Sequence, residues 1–127
     1  MEQTTNNYGK EYIVDIHNCD ISQMNYEGLK KYLIELCDEI DMVRCGLHFW
    51  EEEFIPKEEW DNSPHLRGLS AVQFIKTSSI TVHAIYGLKK FFVNIFSCKD
   101  FDEKKAKEVT LKYFKGDVVT EECIIRK

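Results

Sequence analysis

Three consecutive segments of the sequence alternate between apolar and polar residues. They cover residues 69–77, 80–86 and 91–98 and are rich in Val, Ile, Phe and Thr, which favour strands. The stretch YGLKK at residues 86–90 is typical of a tight turn. Strands joined by so few residues pair antiparallel, so these segments constrain the fold of the chain more than any other feature.

The N-terminal part predicts a strand, a helix and a second strand. Residues 1–9 are polar and are expected to form a loose tail, and residues 11–17 (EYIVDIH) alternate as a strand does. Apolar residues then recur at helical spacing over residues 26–40, with Asn25 as the expected N-cap. A second strand is predicted at residues 43–50.

The C-terminal part predicts one more helix and one more strand. Asp100 and Glu103 form a D-x-x-E pattern that predicts a helix start, and Gly116 predicts its end. A last strand follows at residues 117–125. The order is β-α-β, an inserted loop, then β-β-β-α-β. We therefore expect an α+β fold, a two-layer sandwich with a mostly antiparallel sheet and two helices on one face.

Residues 51–67 interrupt this pattern. The segment holds both prolines of the chain, six acidic residues and two aromatic residues. It predicts a long surface loop with a short helical turn, and loops of this length in compact domains are often functional.

Length and composition limit the class of protein. The 127 residues fit a single domain spanning residues 1–127, and the net charge of −5 does not favour a nucleic-acid partner. No apolar run approaches the roughly 18 residues that a membrane span requires. The five cysteines include no CxxC pair, which predicts a reducing cytoplasm and no metal site.

Hydroxyl side chains are concentrated at the start of the 80–86 segment. A hairpin centred on the 86–90 turn pairs residues whose numbers add to about 176, which places Cys98 opposite Ser78. A slip of one residue would place Thr77 there instead. These hydroxyls are either a solvated strand face or a reaction site next to a thiol.

His83 follows Ser78 by five residues, an odd separation. A regular strand therefore sends the two side chains to opposite faces. Either a bulge lies between them or they do not meet within one chain. If they cooperate, the simplest arrangement is a homo-oligomer with its sites at the subunit interface.

Three stretches resemble the small prokaryotic S-adenosylmethionine decarboxylases. They are YGKEYIVDIHNCD at residues 8–20, GLSAVQFIKTSSITVH at 68–83 and VNIFSC at 93–98. The resemblance implies a proenzyme that cleaves itself before Ser78, which becomes a pyruvoyl group. It also implies that Ser70 and His83 assist self-cleavage, that Cys98 donates a proton in decarboxylation, and that Trp50 stacks on adenine.

The chain departs from this family at three places. Thr77 and Ser79 flank the serine where the family has Glu and His. The family's Trp-Pro-Glu after the histidine is replaced by AIYGLK at residues 84–89, and residues 51–67 are an insertion.

These departures favour a reading in which the pyruvoyl chemistry is lost. At the level of fold, the chain resembles cofactor-free lyases that cleave S-adenosylmethionine. They occur in phages and in some type III CRISPR antiviral systems, and in the CRISPR systems the substrate is the adenylated conjugate SAM-AMP. The substrate's own carboxylate displaces the neutral thioether, giving methylthioadenosine and homoserine lactone. Aromatic and acidic residues would hold the sulfonium cation. The expected substrate-binding residues are Phe49, Trp50, Glu51, Thr77, Ser79 and Tyr86.

Two alternatives stay open. The first is a pyruvoyl-dependent S-adenosylmethionine decarboxylase of polyamine synthesis, with the cofactor made from Ser78. The second is a non-catalytic nucleoside-binding regulator. The lyase and decarboxylase hypotheses both predict a cytoplasmic enzyme with a small nucleoside substrate and catalytic residues among Ser70, Ser78, His83 and Cys98.

Overall fold

The computed structural model describes residues 7–50 and 55–127, which form six strands and three α-helices. The strands are β1 (Gly9–His17), β2 (Arg44–Phe49), β3 (Leu69–Ile75), β4 (Ser78–Ile85), β5 (Lys90–Ser97) and β6 (Asp117–Arg126). The helices are α1 (Tyr26–Glu39), α2 (Lys57–Asn62) and α3 (Glu103–Phe114), with a 3-10 turn at Pro64–Leu66.

All six strands form one sheet in the order β2-β3-β4-β5-β1-β6, and every neighbouring pair is antiparallel. The strands β3, β4 and β5 are neighbours in the sheet, as their short connections predict. β4 pairs with β3 on one side and β5 on the other, without a register shift on either. The predicted α+β fold is confirmed.

The two long helices cover one face of the sheet. Alternate residues of β4 (Ile80, Val82 and Ala84) are completely buried beneath them, as are Val14 of β1 and Phe91 of β5. The opposite face, which we call the open face, carries the intervening residues of each strand. It is the face on which polar groups of β3 and β4 are available for chemistry.

Contacts between α1 and α3 hold the helix layer together. The hydroxyl of Tyr32 lies 2.7 Å from that of Thr110, and both residues are buried. The ring of Phe114 stacks on Phe91 with centroids 3.9 Å apart, which fastens the end of α3 to β5. Lys112 pairs with Glu35 at 2.6 Å on the surface of the same layer.

Most predicted strand ends differ from the structure by one or two residues, and the start of α3 differs as well. The N-cap of α3 is Asp102, whose carboxylate accepts from the amides of Lys104 and Lys105. Asp100 instead forms an ion pair with Lys10 at 2.6 Å. The helix start predicted from the D-x-x-E pattern therefore lies two residues before the observed N-cap. Asn25 caps α1 as predicted, accepting from the amide of Gly28.

The predicted tail and loop contain regular structure within the described residues. Gly9 belongs to β1, so the predicted tail of residues 1–9 extends too far into the chain. A side chain at this position would collide with the backbone of Ser97. Residues 1–6 lie outside the described residues. Within the insertion, residues 55–67 carry α2 and the 3-10 turn rather than a single helical turn, and residues 51–54 also lie outside the described part.

Three observations concern membrane spans, metal ligands and disulfides. No helix in the described ranges is long and apolar enough to cross a membrane. The same residues contain no group of three or more His, Cys, Asp or Glu side chains suited to a metal ion. All five cysteines are free thiols.

We expect the Phe114→Ala variant to lower the free energy of unfolding by about 3–5 kcal/mol, because it leaves a cavity against Phe91. Urea unfolding followed by circular dichroism measures this loss. Val119→Ala is the control, since Val119 is 50% exposed at the edge of the sheet and should change the free energy by no more than about 0.5 kcal/mol. Equal losses in the two variants would contradict the assigned core.

Candidate functional site

Ser70 and His83 form a hydrogen-bonded pair on the open face. They are directly opposite in the β3–β4 ladder, and the Ser70 Oγ lies 2.7 Å from the Nδ1 of His83. With the imidazole neutral and its proton on Nε2, the serine hydroxyl donates to Nδ1. The hydroxyl of Ser70 therefore orients the imidazole of His83, which can act as a base.

The surroundings favour the neutral form of this imidazole. Desolvation by neighbouring groups lowers the pKa of His83 below its ordinary value of about 6.5, although part of its surface remains exposed to solvent. The one carboxylate that shares these hollows belongs, among the described residues, to Asp15. A neutral His83 at physiological pH can accept a proton rather than donate one.

A cavity of about 550 Å³ opens beside this pair. Its walls come from the end of β2, the 3-10 turn and the open face of β3 and β4, and they are mostly apolar. The side chains that shape it include Trp50, His65, Leu66, Val72, Thr81 and His83. Its size and apolar lining suit a small organic ligand with an aromatic or aliphatic group.

A second hollow of about 350 Å³ lies on the other side of His83. Asp15, Phe92 and Asn94 line it together with Thr81 and His83. The carboxylate of Asp15 and the ring of Phe92 are groups that attract a cation. The two hollows share Thr81 and His83 as walls, so His83 borders both.

The backbone of Cys98 lies next to the hydroxyl cluster at the opposite end of β4. Ser78 pairs with Ser97, not with Cys98, so the predicted hairpin register is wrong by one residue. The alternative slip is the one that occurs, because the Cys98 amide donates to the carbonyl oxygen of Thr77 at 3.1 Å. The shift arises because β5 begins at Lys90, which pairs with Ile85 across a four-residue turn.

The backbone at Ser78 is strained. Its φ is +152°, outside the regions that residues with a Cβ ordinarily adopt. β3 and β4 are joined by only Lys76 and Thr77, and such two-residue loops usually place a positive φ at a loop residue. Neither loop residue has one here, so the unusual angle falls on Ser78 instead. Strain of this kind is commonly found at functional positions.

The predicted substrate-binding residues divide into several groups. Trp50 and Phe49 both line the large cavity, although the ring of Phe49 also packs against Tyr26 with centroids 4.8 Å apart. Tyr86 packs near Trp60 at 6.5 Å and is not a wall of the cavity as defined above. Ser79 lies opposite Phe74 and Phe96 in the sheet.

The two remaining predicted substrate-binding residues are Thr77 and Glu51. The side chain of Thr77 turns inward, where its Oγ1 lies 2.8 Å from the hydroxyl of buried Ser97. Glu51 lies outside the described residues. Sequence reasoning did not find His48, His65 or Leu66 as cavity residues, because only the fold of the insertion brings the last two to the open face.

The candidate site therefore has two halves within one chain. Ser70, His83 and the cavities form one half, and Thr77, Ser78 and Cys98 form the other. Five steps of an uninterrupted strand separate Ser78 from His83 by roughly 16 Å. The sequence left two alternatives open, and the regular pairing of β4 contradicts the bulge and leaves the one in which Ser78 and His83 do not meet within one chain.

The fold combines a six-stranded antiparallel sheet, one helical layer and an open face that carries the Ser70–His83 pair. The sequence pattern of the S-adenosylmethionine decarboxylase family matches residues 10–127. The chain belongs to this family, of which it is a divergent member.

Comparison of structures supports the same fold. A crystal structure of the adenosylmethionine decarboxylase from Aquifex aeolicus VF5 superposes with a TM-score of 0.73, at 15% sequence identity. The match covers 94% of this chain and 91% of that one. No curated protein matches the sequence significantly.

We expect His83 to titrate below about 6.5 in the folded protein, measured from the NMR chemical shift of its Cε1 proton. Because its pKa is lowered on folding, the contribution of His83 to stability is present above the unfolded pKa and is lost as the pH falls below it. The urea-denatured chain provides the reference. A folded-state pKa at or above the denatured value would contradict the desolvated setting of this imidazole.

Proposed function

We propose that this chain is a self-processing, pyruvoyl-dependent decarboxylase of S-adenosylmethionine or a close analogue. Family membership indicates an enzyme that acts on S-adenosylmethionine. The proposal of self-processing rests on the surroundings of the peptide bond between Thr77 and Ser78. The carbonyl oxygen of Thr77 accepts the Cys98 amide, and the next residue, Ser78, has a strained backbone.

Self-cleavage uses groups that this bond already has around it. The Ser78 Oγ attacks the Thr77 carbonyl carbon, a new C–O bond forms, the C–N bond breaks, and the hydroxyl proton ends on the released amine. The carbonyl oxygen gains negative charge during the attack, and the Cys98 N–H at 3.1 Å stabilises it. Release of the positive φ at Ser78 favours the same step.

Chain cleavage follows from the ester. A base removes the proton on the Cα of Ser78, the Cβ–Oγ bond breaks, and Thr77 leaves as a carboxylate. The resulting dehydroalanine, as its imine tautomer, reacts with water and releases ammonia, leaving a pyruvoyl group at the new N-terminus. A neutral imidazole hydrogen-bonded to a hydroxyl, such as His83 with Ser70, is suited to the proton removal.

The residues around Ser78 fit the group that this chemistry would create. When bound to substrate, a pyruvoyl group supplies an electron sink for decarboxylation. Cys98 lies next to the cleaved bond and, by resemblance to the family, would return a proton to the product. The apolar cavity beside Trp50 would hold the nucleoside, and Asp15 with Phe92 would attract the sulfonium cation.

The two halves of the site are supplied by two chains in this proposal. Ser78 of one chain is about 16 Å from its own His83, which is too far for a proton transfer. The open face exposes Phe74 to 47% in the single chain. A two-fold axis perpendicular to β4 would reverse this strand in the second chain and bring the Ser78 end of each chain to the His83 end of the other.

We expect the purified protein to separate into fragments 1–77 and 78–127, with the second blocked at its N-terminus by a ketone. Intact-mass spectrometry before and after borohydride reduction measures both features. The Ser78→Ala variant lacks the attacking hydroxyl and should remain one chain. Ser22→Ala is the control and should be processed like the original protein, because this exposed serine lies outside both halves of the site.

A single unprocessed chain would instead favour the second candidate, the cofactor-free lyase acting on S-adenosylmethionine or SAM-AMP. The specific observation in its favour is the size and apolar character of the cavity, which can fold the methionine tail and exclude water without any general acid. Formation of methylthioadenosine or its adenylated form and homoserine lactone by the intact chain would establish it. Release of carbon dioxide would exclude it.

Mixing two inactive variants tests the shared site. Ser78→Ala and His83→Ala should each fail to process alone, whereas co-expression should produce hybrid oligomers in which one interface combines Ser78 with His83. About half of the possible sites in such a hybrid two-fold dimer are intact, so processing of the His83→Ala chain should recover in part. The readout is the fragment pattern of the two chains, distinguished by an affinity tag.

The control is co-expression of two differently tagged Ser78→Ala chains, which cannot be cleaved in any combination. Failure of the hybrid to process, with mixed oligomers demonstrated by the tags, would refute the two-chain site while leaving processing itself intact.

A further inference from the structure

A line of hydrogen bonds holds the residue before the proposed cleavage point. The Lys99 amide lies 3.0 Å from the Oγ of Ser97, and that Oγ lies 2.8 Å from the Oγ1 of Thr77. The Thr77 hydroxyl in turn lies 3.5 Å from the sulfur of Met42. We call these four groups the hydroxyl chain.

The two ends of the hydroxyl chain have fixed roles, because the Lys99 amide can only donate and the thioether sulfur of Met42 can only accept. Either hydroxyl can donate to the other, since the Met42 sulfur lies 3.5 Å from Thr77 Oγ1 and 3.9 Å from Ser97 Oγ and can accept the remaining proton from either one. In both arrangements the Oγ1 of Thr77 is hydrogen-bonded to the Oγ of Ser97, which orients the side chain of Thr77.

The hydroxyl chain acts from inside the molecule. Ser97 is completely buried and Met42 is 7% exposed, so water has little access to the hydroxyl of Ser97. Met42 is itself tied to α1 through its amide, which donates to the carbonyl of Cys37 at 2.8 Å. The loop between β3 and β4 is thus fastened to the helix layer behind the sheet.

Thr77 is held at two points at once. Its side chain is fixed by the hydroxyl chain, and its carbonyl oxygen accepts the Cys98 amide. Two anchors on one residue fix the plane of the peptide that follows it, and the strain falls on Ser78 because Thr77 cannot rotate to relieve it.

We propose that Ser97 is a positioning residue for self-cleavage, which acts by locking Thr77 so that its carbonyl meets the Ser78 hydroxyl in a reactive orientation. This inference rests on the proposed function. Ser97 touches no reacting atom, and its effect passes through the orientation of Thr77.

The test compares rates of self-cleavage in freshly translated chains. Ser97→Ala removes the hydroxyl that links Lys99 to Thr77 and should slow cleavage roughly three- to tenfold, the range that the loss of one or two positioning hydrogen bonds corresponds to. Ser97→Thr keeps the hydroxyl and should restore most of the rate. Thr77→Val removes the other partner at nearly constant shape and should slow cleavage by a similar factor.

A double variant and a matched control separate positioning from general stability. Ser97→Ala combined with Thr77→Val should be no slower than either single variant, because both remove the same bond. Thr110→Val deletes a different buried hydroxyl, one that lies 2.7 Å from Tyr32 in the helix layer. It should lower the melting temperature without slowing cleavage.

Hydroxylamine identifies the affected step, since it cleaves the ester but not the amide. If Ser97 positions the amide for attack, the ester fraction trapped in Ser97→Ala falls with the overall rate. An original protein that does not cleave would overturn the proposed function and this inference together. An original protein that cleaves, with Ser97→Ala cleaving equally fast or Thr110→Val cleaving equally slowly, would overturn this inference alone.

Discussion

The uninterrupted pairing of β4 with both β3 and β5 determines where every reactive group lies. Ile80, Val82 and Ala84 of this strand are completely buried under the helices. A bulge that brought Ser78 and His83 to one face would turn part of this set toward the open face, and each large apolar side chain so exposed would cost about 1.5–3 kcal/mol. Core packing therefore keeps the two halves of the candidate site apart in one chain.

The same pairing explains how strain collects at one residue. The two-residue connection between β3 and β4 must reverse the chain while both strands stay in register. Thr77 is anchored through its carbonyl and its side chain, so the remaining freedom lies in the backbone of Ser78. The peptide bond at which we propose cleavage is therefore held by ordinary hydrogen bonds and loop geometry.

The parts of the fold that follow from local patterns were predictable from the sequence. Alternation gave six strands and helical spacing gave two long helices, because burial of one face acts on every residue of an element. The hairpin register was missed by one residue, since turn composition does not distinguish a four-residue connection from a five-residue one. That single step decides whether Cys98 lies opposite Ser78 or Thr77.

The cavity could not be predicted for a different reason. His65 and Leu66 reach the open face only through the path of the insertion, which depends on tertiary contacts such as the bond from the Gly87 amide to the Arg67 carbonyl. His48 comes from an edge strand whose register with β3 shifts along its length. No periodic pattern in the sequence encodes either placement.

The replacement of the family's glutamate by Thr77 has a local physical explanation. The side chain at this position points toward completely buried Ser97 and toward Met42, where a carboxylate would lose its hydration without gaining a cation. Threonine satisfies the same space with one donor and one acceptor. The replacement therefore fits the interior behind it, and it does not by itself remove either the hydroxyl or the polarised carbonyl that cleavage requires.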